Sequence, residues 1–362
     1  MFCCATLLAC GPTSTPKPQE SKLPAQGKPT PADNGPIGVG KVIVKRDNAL
    51  VVYSLTEKKE LRSIPLGDNA FPFVGLSEDG TVLTTKDGIG GCVVSKLSDD
   101  SSTSCTPPGA VLLNFVFGAG AAAGRTYHAY LQGEQLLVAS LFGGVSTTIG
   151  EWDTSTLGPI TNGVVSRDGS RFVLSVFADD DRTGKYLSFG AAGVPPEVLV
   201  DLGARTYVGY CSHIALSRDG KRFAYCDGES SQTPSGVIDI KLHVRDLQTS
   251  TDVVFADGVR FGLSPDGERI VWTTSDNKLR VSSVAGPFAP VIIGDELSIG
   301  GQIVFTTDGK RVLVDVDDQG IVSYDAATLG DARVVFAAGK DDSPAPRLFT
   351  DYLAGTPDLT SN

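Results

Sequence analysis

The sequence predicts an all-β chain folded as a seven-bladed β-propeller of four-stranded blades, its ring closed by a C-terminal strand that joins the N-terminal blade. Three observations predict this. The composition is rich in turn formers, with 42 glycines and 21 prolines, and holds a single methionine. Short runs of Val, Ile, Leu, Phe and Tyr recur from end to end, and no stretch beyond about ten residues has the apolar spacing of an amphipathic helix. The chain also repeats itself at a period of about 40 to 50 residues, which suits a blade of four short strands.

The repeat reads Leu76-Ser77-Glu78-Asp79-Gly80, Val165-Ser166-Arg167-Asp168-Gly169, Leu216-Ser217-Arg218-Asp219-Gly220, Leu263-Ser264-Pro265-Asp266-Gly267 and Phe305-Thr306-Thr307-Asp308-Gly309. Its glycines stand 89, 51, 47 and 42 residues apart. The double-length first interval predicts a worn copy, found at Gly124-Arg125-Thr126-Tyr127-His128-Ala129-Tyr130, which keeps the glycine and the following strand. Most copies run on into a strand, as in Arg171-Phe172-Val173-Leu174, Arg222-Phe223-Ala224-Tyr225, Arg269-Ile270-Val271-Trp272 and Arg311-Val312-Leu313-Val314. Asp-Gly supplies a tight hairpin turn with positive φ, and the Ser and Asp oxygens accept turn N–H groups, so these aspartates are read as structural. The copies resemble the Ser-Pro-Asp-Gly repeats of the TolB-type propeller family, most closely over Leu263–Trp272. The resemblance implies that the motif joins the first and second strands of a blade, covers residues 37–355, and speaks to fold and not to activity.

Taken in order, residues 1–10 end in Leu7-Leu8-Ala9-Cys10, which resembles the bacterial lipobox. That resemblance implies a diacylglycerol on the Cys10 sulfur and an exported, lipid-anchored protein of the cell envelope. The segment is too short for a full signal peptide, so the true start is expected upstream. Residues 11–36, rich in Pro, Lys, Ser and Thr, cannot bury enough apolar surface to offset their ordering entropy and read as a disordered tether. Residues 41–46, 49–56 and 60–66 read as second, third and fourth strands with no first strand ahead of them. After the last copy has used 311–317, 320–326 and 332–338, one orphan strand is left over 347–353. Setting it beside 41–46 closes the ring and removes two exposed sheet edges. Residues 356–362 read as a disordered tail.

Cys92 and Cys105 flank one predicted turn, and Cys211 and Cys226 another. Cross-strand neighbours lie within disulfide reach, and of the three possible connectivities only this one is local in both loops. Two disulfides imply an oxidising compartment. The rival reading, a metal site, has no Cys-x-x-Cys spacing and only the scattered His128, His213 and His243 to draw on.

A net charge of −11, with 42 acids against 31 bases, disfavours nucleic acid. No apolar run reaches the ~18 residues of a membrane helix, so attachment is through lipid alone. Gly-x-Ser-x-Gly, Gly-Lys-Ser/Thr and His-Glu-x-x-His are all absent. Asp315-Val316-Asp317-Asp318-Gln319-Gly320 has a faint likeness to a calcium loop, without the closing Glu. The reading is therefore a monomeric, non-catalytic platform for a protein or peptide partner of basic character. An enzyme of lactonase or lyase type with a metal in the central channel is the alternative, with His213 and Asp351 as its thin supply of ligands. Strand order places the loops between second and third strands on one side of the disc, and these are acidic: Asp179, Asp180, Asp181, Asp227, Asp276, Asp317 and Asp318. Like charges around one mouth focus a negative potential, which steers basic segments or divalent cations.

Overall fold

Lys41-Val42-Ile43-Val44-Lys45-Arg46 and Ala49-Leu50-Val51-Val52-Tyr53-Ser54 each hold three consecutive apolar residues that are completely buried. A strand covered on both faces calls for such a run, whereas a half-exposed strand alternates. The computed structural model describes residues 37–46, 49–65, 74–76, 82–86, 92–96, 98, 101–104, 111–118, 127–132, 135–140, 146–151, 160–166, 171–177, 184–189, 197–203, 214–230, 238–256, 258, 260–286, 290–293, 297, 299–317, 319–337 and 347–348. Among them every regular element is a strand.

In chain order the strands are β1 (Lys41–Arg46), β2 (Ala49–Ser54) and β3 (Lys59–Pro65), followed by β4 (Val74–Leu76), β5 (Val82–Lys86), β6 (Cys92–Lys96) and β7 (Ser102–Ser104). Next come β8 (Val111–Gly118), β9 (Tyr127–Gln132), β10 (Gln135–Ser140), β11 (Ser146–Glu151), β12 (Ile160–Val165), β13 (Phe172–Phe177), β14 (Gly184–Phe189) and β15 (Glu197–Gly203). The rest are β16 (Ala215–Leu216), β17 (Arg222–Ser230), β18 (Ile238–Asp246), β19 (Thr251–Ala256), β20 (Arg260–Leu263), β21 (Arg269–Thr273), β22 (Leu279–Ser283), β23 (Val291–Ile292), β24 (Ile299–Phe305), β25 (Arg311–Val316), β26 (Gly320–Asp325), β27 (Arg333–Ala337) and β28 (Arg347–Leu348).

Consecutive strands form antiparallel four-stranded sheets: β4–β7, β16–β19, β20–β23 and β24–β27. The first sheet has the order β28-β1-β2-β3, with Leu348 opposite Val44 and Arg347 opposite Lys45. The orphan strand thus pairs where the sequence put it. It is described over two residues, and positions 349–353 lie outside the described residues. One departure is an eight-stranded sheet, in which the β8–β11 and β12–β15 units meet through parallel pairing of β8 with β12, Gly163 beside Val116 and Val164 beside Phe117. Both are the first strands of their units, and first strands also adjoin along the series β12, β16, β20, β24 and β28.

Apolar side chains interleave between neighbouring sheets. Val173 and Leu199 pack with Phe223 and Tyr225, while the alternate residues Ala224 and Cys226 turn the other way onto Ile270 and Trp272. Val271 and Val281 then pack with Val312 and Val322, and Leu313 and Ile321 with Val42 and Val44 of the first sheet. Strand alternation therefore gives the sheets β16–β19, β20–β23 and β24–β27 two buried faces each.

The Asp-Gly turns weld the seams. In three copies the same bonds recur: Ser217, Ser264 and Thr306 donate their hydroxyls to Asp219, Asp266 and Asp308 at 2.7, 2.6 and 2.6 Å. The same hydroxyl oxygens accept the N–H of Arg222, Arg269 and Arg311 at 2.9, 2.9 and 3.0 Å. The β16–β17 turn also leans on the turn of the following sheet. Arg218 N–H donates to Pro265 O at 2.9 Å, and Arg222 Nη1 donates to Gly267 O at 2.8 Å. Gly267 has φ +72°, and a Cβ there would stand 3.0 Å from Ser217 Cβ and 3.1 Å from Arg222 Cδ. The position needs glycine for its backbone and for its neighbour. Gly267→Ala is expected to lower stability by about 1–3 kcal/mol, read as a shift in the denaturant midpoint at unchanged m-value. An unchanged midpoint would mean that the seam tolerates a methyl group.

Candidate functional site

Every sheet presents two ends. One carries the Asp-Gly turns together with the turns between third and fourth strands. Lys221, Glu268 and Lys310 donate their N–H groups to Asp219, Asp266 and Asp308. Asp246 accepts the N–H groups of Gln248 and Thr249, and Asp325 those of Ala327 and Thr328. The bond from Thr249 holds the Asp246 carboxyl below the usual carboxylate range, outweighing burial. These carboxylates cap turns, and the structural reading of the repeat holds for them.

Of the candidate acids, Asp276 and Asp317 lie in turns at the opposite end. Asp276 lies in the turn between β21 and β22, gripped by Arg280, whose Nη1 and Nη2 donate to its two oxygens at 3.0 Å each. Thr274 donates its hydroxyl to the same carboxylate. The Arg280 bond is the main cause that holds the Asp276 carboxyl far below its ordinary value. Its charge is thus largely offset inside its own hairpin. Asp317 follows β25 in a turn closed by Gln319 N–H donating to Val316 O at 3.2 Å. Asp315, the first residue of the calcium-like stretch, belongs to β25 and is completely buried.

Asp227 departs from expectation. It stands within β17 and not in a loop, because β17 and β18 stay paired out to Ser230 and Ile238. Its Oδ2 lies 3.9 Å from Nε2 of His243, and both side chains are mostly buried. His243 faces Tyr225 across the hairpin, the rings stacked at 4.8 Å and 9°. Tyr225 donates to Asp252 at 3.2 Å, and Asp252 also takes Arg245 Nη1 at 2.6 Å. Burial, and then the Asp252 charge, push the Tyr225 phenol well above its ordinary value. Tyr225 of this group packs against Val173 and Leu199 of the neighbouring sheet.

Asp179, Asp180, Asp181 and Asp318 lie outside the described residues, as do Cys10, Cys105, Cys211, His213 and Asp351. His128 falls in β9 and Cys92 opens β6. Cys226 takes part in a disulfide. Among the described residues no group of three or more His, Cys, Asp or Glu is arranged to hold a metal ion, and no helix is long and apolar enough to cross a membrane.

The strand-opening arginines have a larger part than the sequence reading gave them. Arg222 reaches the next turn and pairs with Glu268 at 2.9 Å. Arg311, almost wholly buried, donates Nε to Ser323 Oγ at 2.6 Å, Nη2 to Ser323 O and Asp331 O at 3.0 and 2.6 Å, and Nη1 to Asp331 Oδ2 at 2.8 Å. The signal was present as an arginine two residues after the glycine in four copies, 171, 222, 269 and 311.

No family model and no curated protein matches the sequence. Among solved structures the chain is similar to an oligogalacturonate lyase in complex with manganese, with a TM-score of 0.54 at 16% identity over 78% of this chain and 84% of that one. It also has some likeness to the β-propeller domain of Cps50 (Swd1) from Myceliophteria thermophila, with a TM-score of 0.45 at 12% identity over 72% and 84%. The tricorn protease gives a TM-score of 0.48 at 12% identity over 85% of this chain and 39% of that one. Four-stranded antiparallel sheets with adjoining first strands, and the likeness to the lyase, define the class: the chain is a β-propeller. At 16% identity the likeness carries the fold, and the chemistry and the manganese stay with that other protein.

Proposed function

We propose that this chain is a lipid-anchored cell-envelope protein whose seven four-stranded blades close into one ring through β28 and β1, and that the ring is a non-catalytic platform for a basic protein or peptide. The observation that carries the reading is the welded seam. The β16–β17 turn is bonded to the β20–β21 turn, and Asp219, Asp266 and Asp308 are engaged by their own backbone, which supports a rigid scaffold that offers its loops at the opposite end. Sites built on rigid elements hold their loops in place, and such loops are where binding residues concentrate. The core shared by the last and first sheets and the β28–β1 pairing support closure. The lipobox-like end and the Pro-rich segment after it support the anchor.

Because Asp276 is offset by Arg280, the run Asp179-Asp180-Asp181 supplies the densest charge at the proposed binding end. Reversal of these three to Lys is expected to slow capture of polylysine by about tenfold at low salt, with the difference fading as salt rises and the melting temperature unchanged. If the triple reversal leaves capture intact while reversal of Asp99 and Asp100 abolishes it, the binding end has been misassigned.

A further inference from the structure

The chain enters the propeller at a built position. Ser323 Oγ donates to Ile37 O at 2.7 Å, and Thr307 donates its N–H and its hydroxyl to Val39 O at 3.4 and 3.2 Å. Leu55 N–H donates to Gly40 O at 2.9 Å, and Gly40 N–H to Thr56 Oγ1 at 3.3 Å. Thr307 belongs to the Asp-Gly turn between β24 and β25, and Leu55 and Thr56 to the turn between β2 and β3, so every one of these contacts lies at or beside one end of the sheets. Gly38, at φ +139°, fits only there: a Cβ would stand 2.5 Å from Thr306 Cγ2. β28 runs antiparallel to β1, so the chain at Leu348 is heading for the same end.

We infer that the segment preceding Ile37 leaves the propeller at the Asp-Gly end, so that this end faces the bilayer and the end with the Thr274–Lys278 turn faces the aqueous side, where a partner arrives. The bilayer half of this inference rests on the anchor reading above; the side of entry rests on the contacts just given. Residues 11–36, treated as a flexible chain, span about 28 Å root-mean-square. A domain of this size has a radius of gyration of about 20 Å. The tether therefore biases the orientation without locking it.

The side of entry is tested without the native lipid. A hexahistidine segment in place of residues 1–10 holds the otherwise full-length protein on phosphatidylcholine vesicles that carry a nickel-chelating lipid. A benzophenone amino acid is placed at Lys310 or Lys221 on one end, or at Ser275 or Asn277 on the other. Cross-linking into phospholipid is expected to be several-fold greater from Lys310 and Lys221, and deletion of residues 14–33 should widen the ratio. An equal or inverted ratio overturns the inference. The anchor is tested apart from it: with a bacterial lipoprotein signal peptide fused ahead of Cys10, labelled fatty acid should be incorporated and Cys10→Ser should abolish it. Labelling that survives Cys10→Ser removes the lipid, and with it the bilayer half of the inference, while the vesicle result decides the side of entry.

Discussion

Arg311→Ala is expected to destabilise the propeller by about 3–5 kcal/mol, the cost of breaking a buried charged network by removing one member. The guanidinium makes four hydrogen bonds, two to Ser323 and two to Asp331. Ser323 passes the connection on, since its oxygen accepts from Arg311 while its proton goes to Ile37 O. One side chain thereby ties β25, β26 and the turn before β27 to the point at which the chain enters the first sheet. Arg311→Lys keeps the charge but not the fork, and should recover less than half of the loss, because an ammonium cannot reach both partners in this geometry. Denaturant unfolding at neutral pH measures both variants. A loss for Arg311→Ala below about 1 kcal/mol, the range of an exposed pair, would show that the network is not a hub.

Much of the fold was legible because it is written in turns. Asp-Gly with a preceding Ser or Thr leaves the backbone one tight geometry, so five sequence matches placed five hairpins, and the interval between the first two placed the worn copy at Gly124, which falls between β8 and β9. Strand ends were less legible. β17 and β18 run on as a nine-residue ladder through Asp227 and Glu229, polar residues that the sequence suggested for a loop. Ladder hydrogen bonds are indifferent to side-chain polarity where one face of the strand can reach a partner, and Asp227 finds His243 there.

The chemistry of individual side chains was the least legible. Asp276 reads in sequence as one more surface acid, and its neutralisation depends on Arg280 four residues on, across a turn whose shape the sequence does not state. The strand-opening arginines were visible as a pattern. Their targets, Gly267 O for Arg222 and Asp331 for Arg311, lie 45 and 20 residues away and are brought close by the packing of one sheet on the next in the first case and by the pairing of β25, β26 and β27 in the second. Local rules place turns; contacts between sheets decide which charges remain available to a ligand.

If Cys92–Cys105 and Cys211–Cys226 are both bonded, removing either should cost about 3 kcal/mol, the chain-entropy value for closed loops of about 15 residues. Cys226 takes part in a disulfide and is completely buried beside Ala224, Leu242 and Trp272. We propose Cys211 as its partner. The β16–β17 register sets Ala215 opposite Ala224 and Leu216 opposite Phe223, and continued unaltered it would leave Cys211 two positions from the place facing Cys226. The bond therefore calls for a shift of two residues ahead of Ile214, more than one single-residue bulge supplies. The second pair needs no such adjustment: Val94 faces Thr103 and Val93 faces Ser104, and one further step matches Cys92 with Cys105. Directly facing positions have the Cβ separation that a disulfide demands. Peptide mapping of exported protein without reductant should recover Cys92 linked to Cys105 and Cys211 linked to Cys226, and Cys92→Ser and Cys226→Ser should each lower the unfolding free energy by the stated amount. Recovery of Cys226 linked to Cys92 or Cys105 would overturn the pairing, whereas a free thiol at Cys92 would remove the Cys92–Cys105 bond alone.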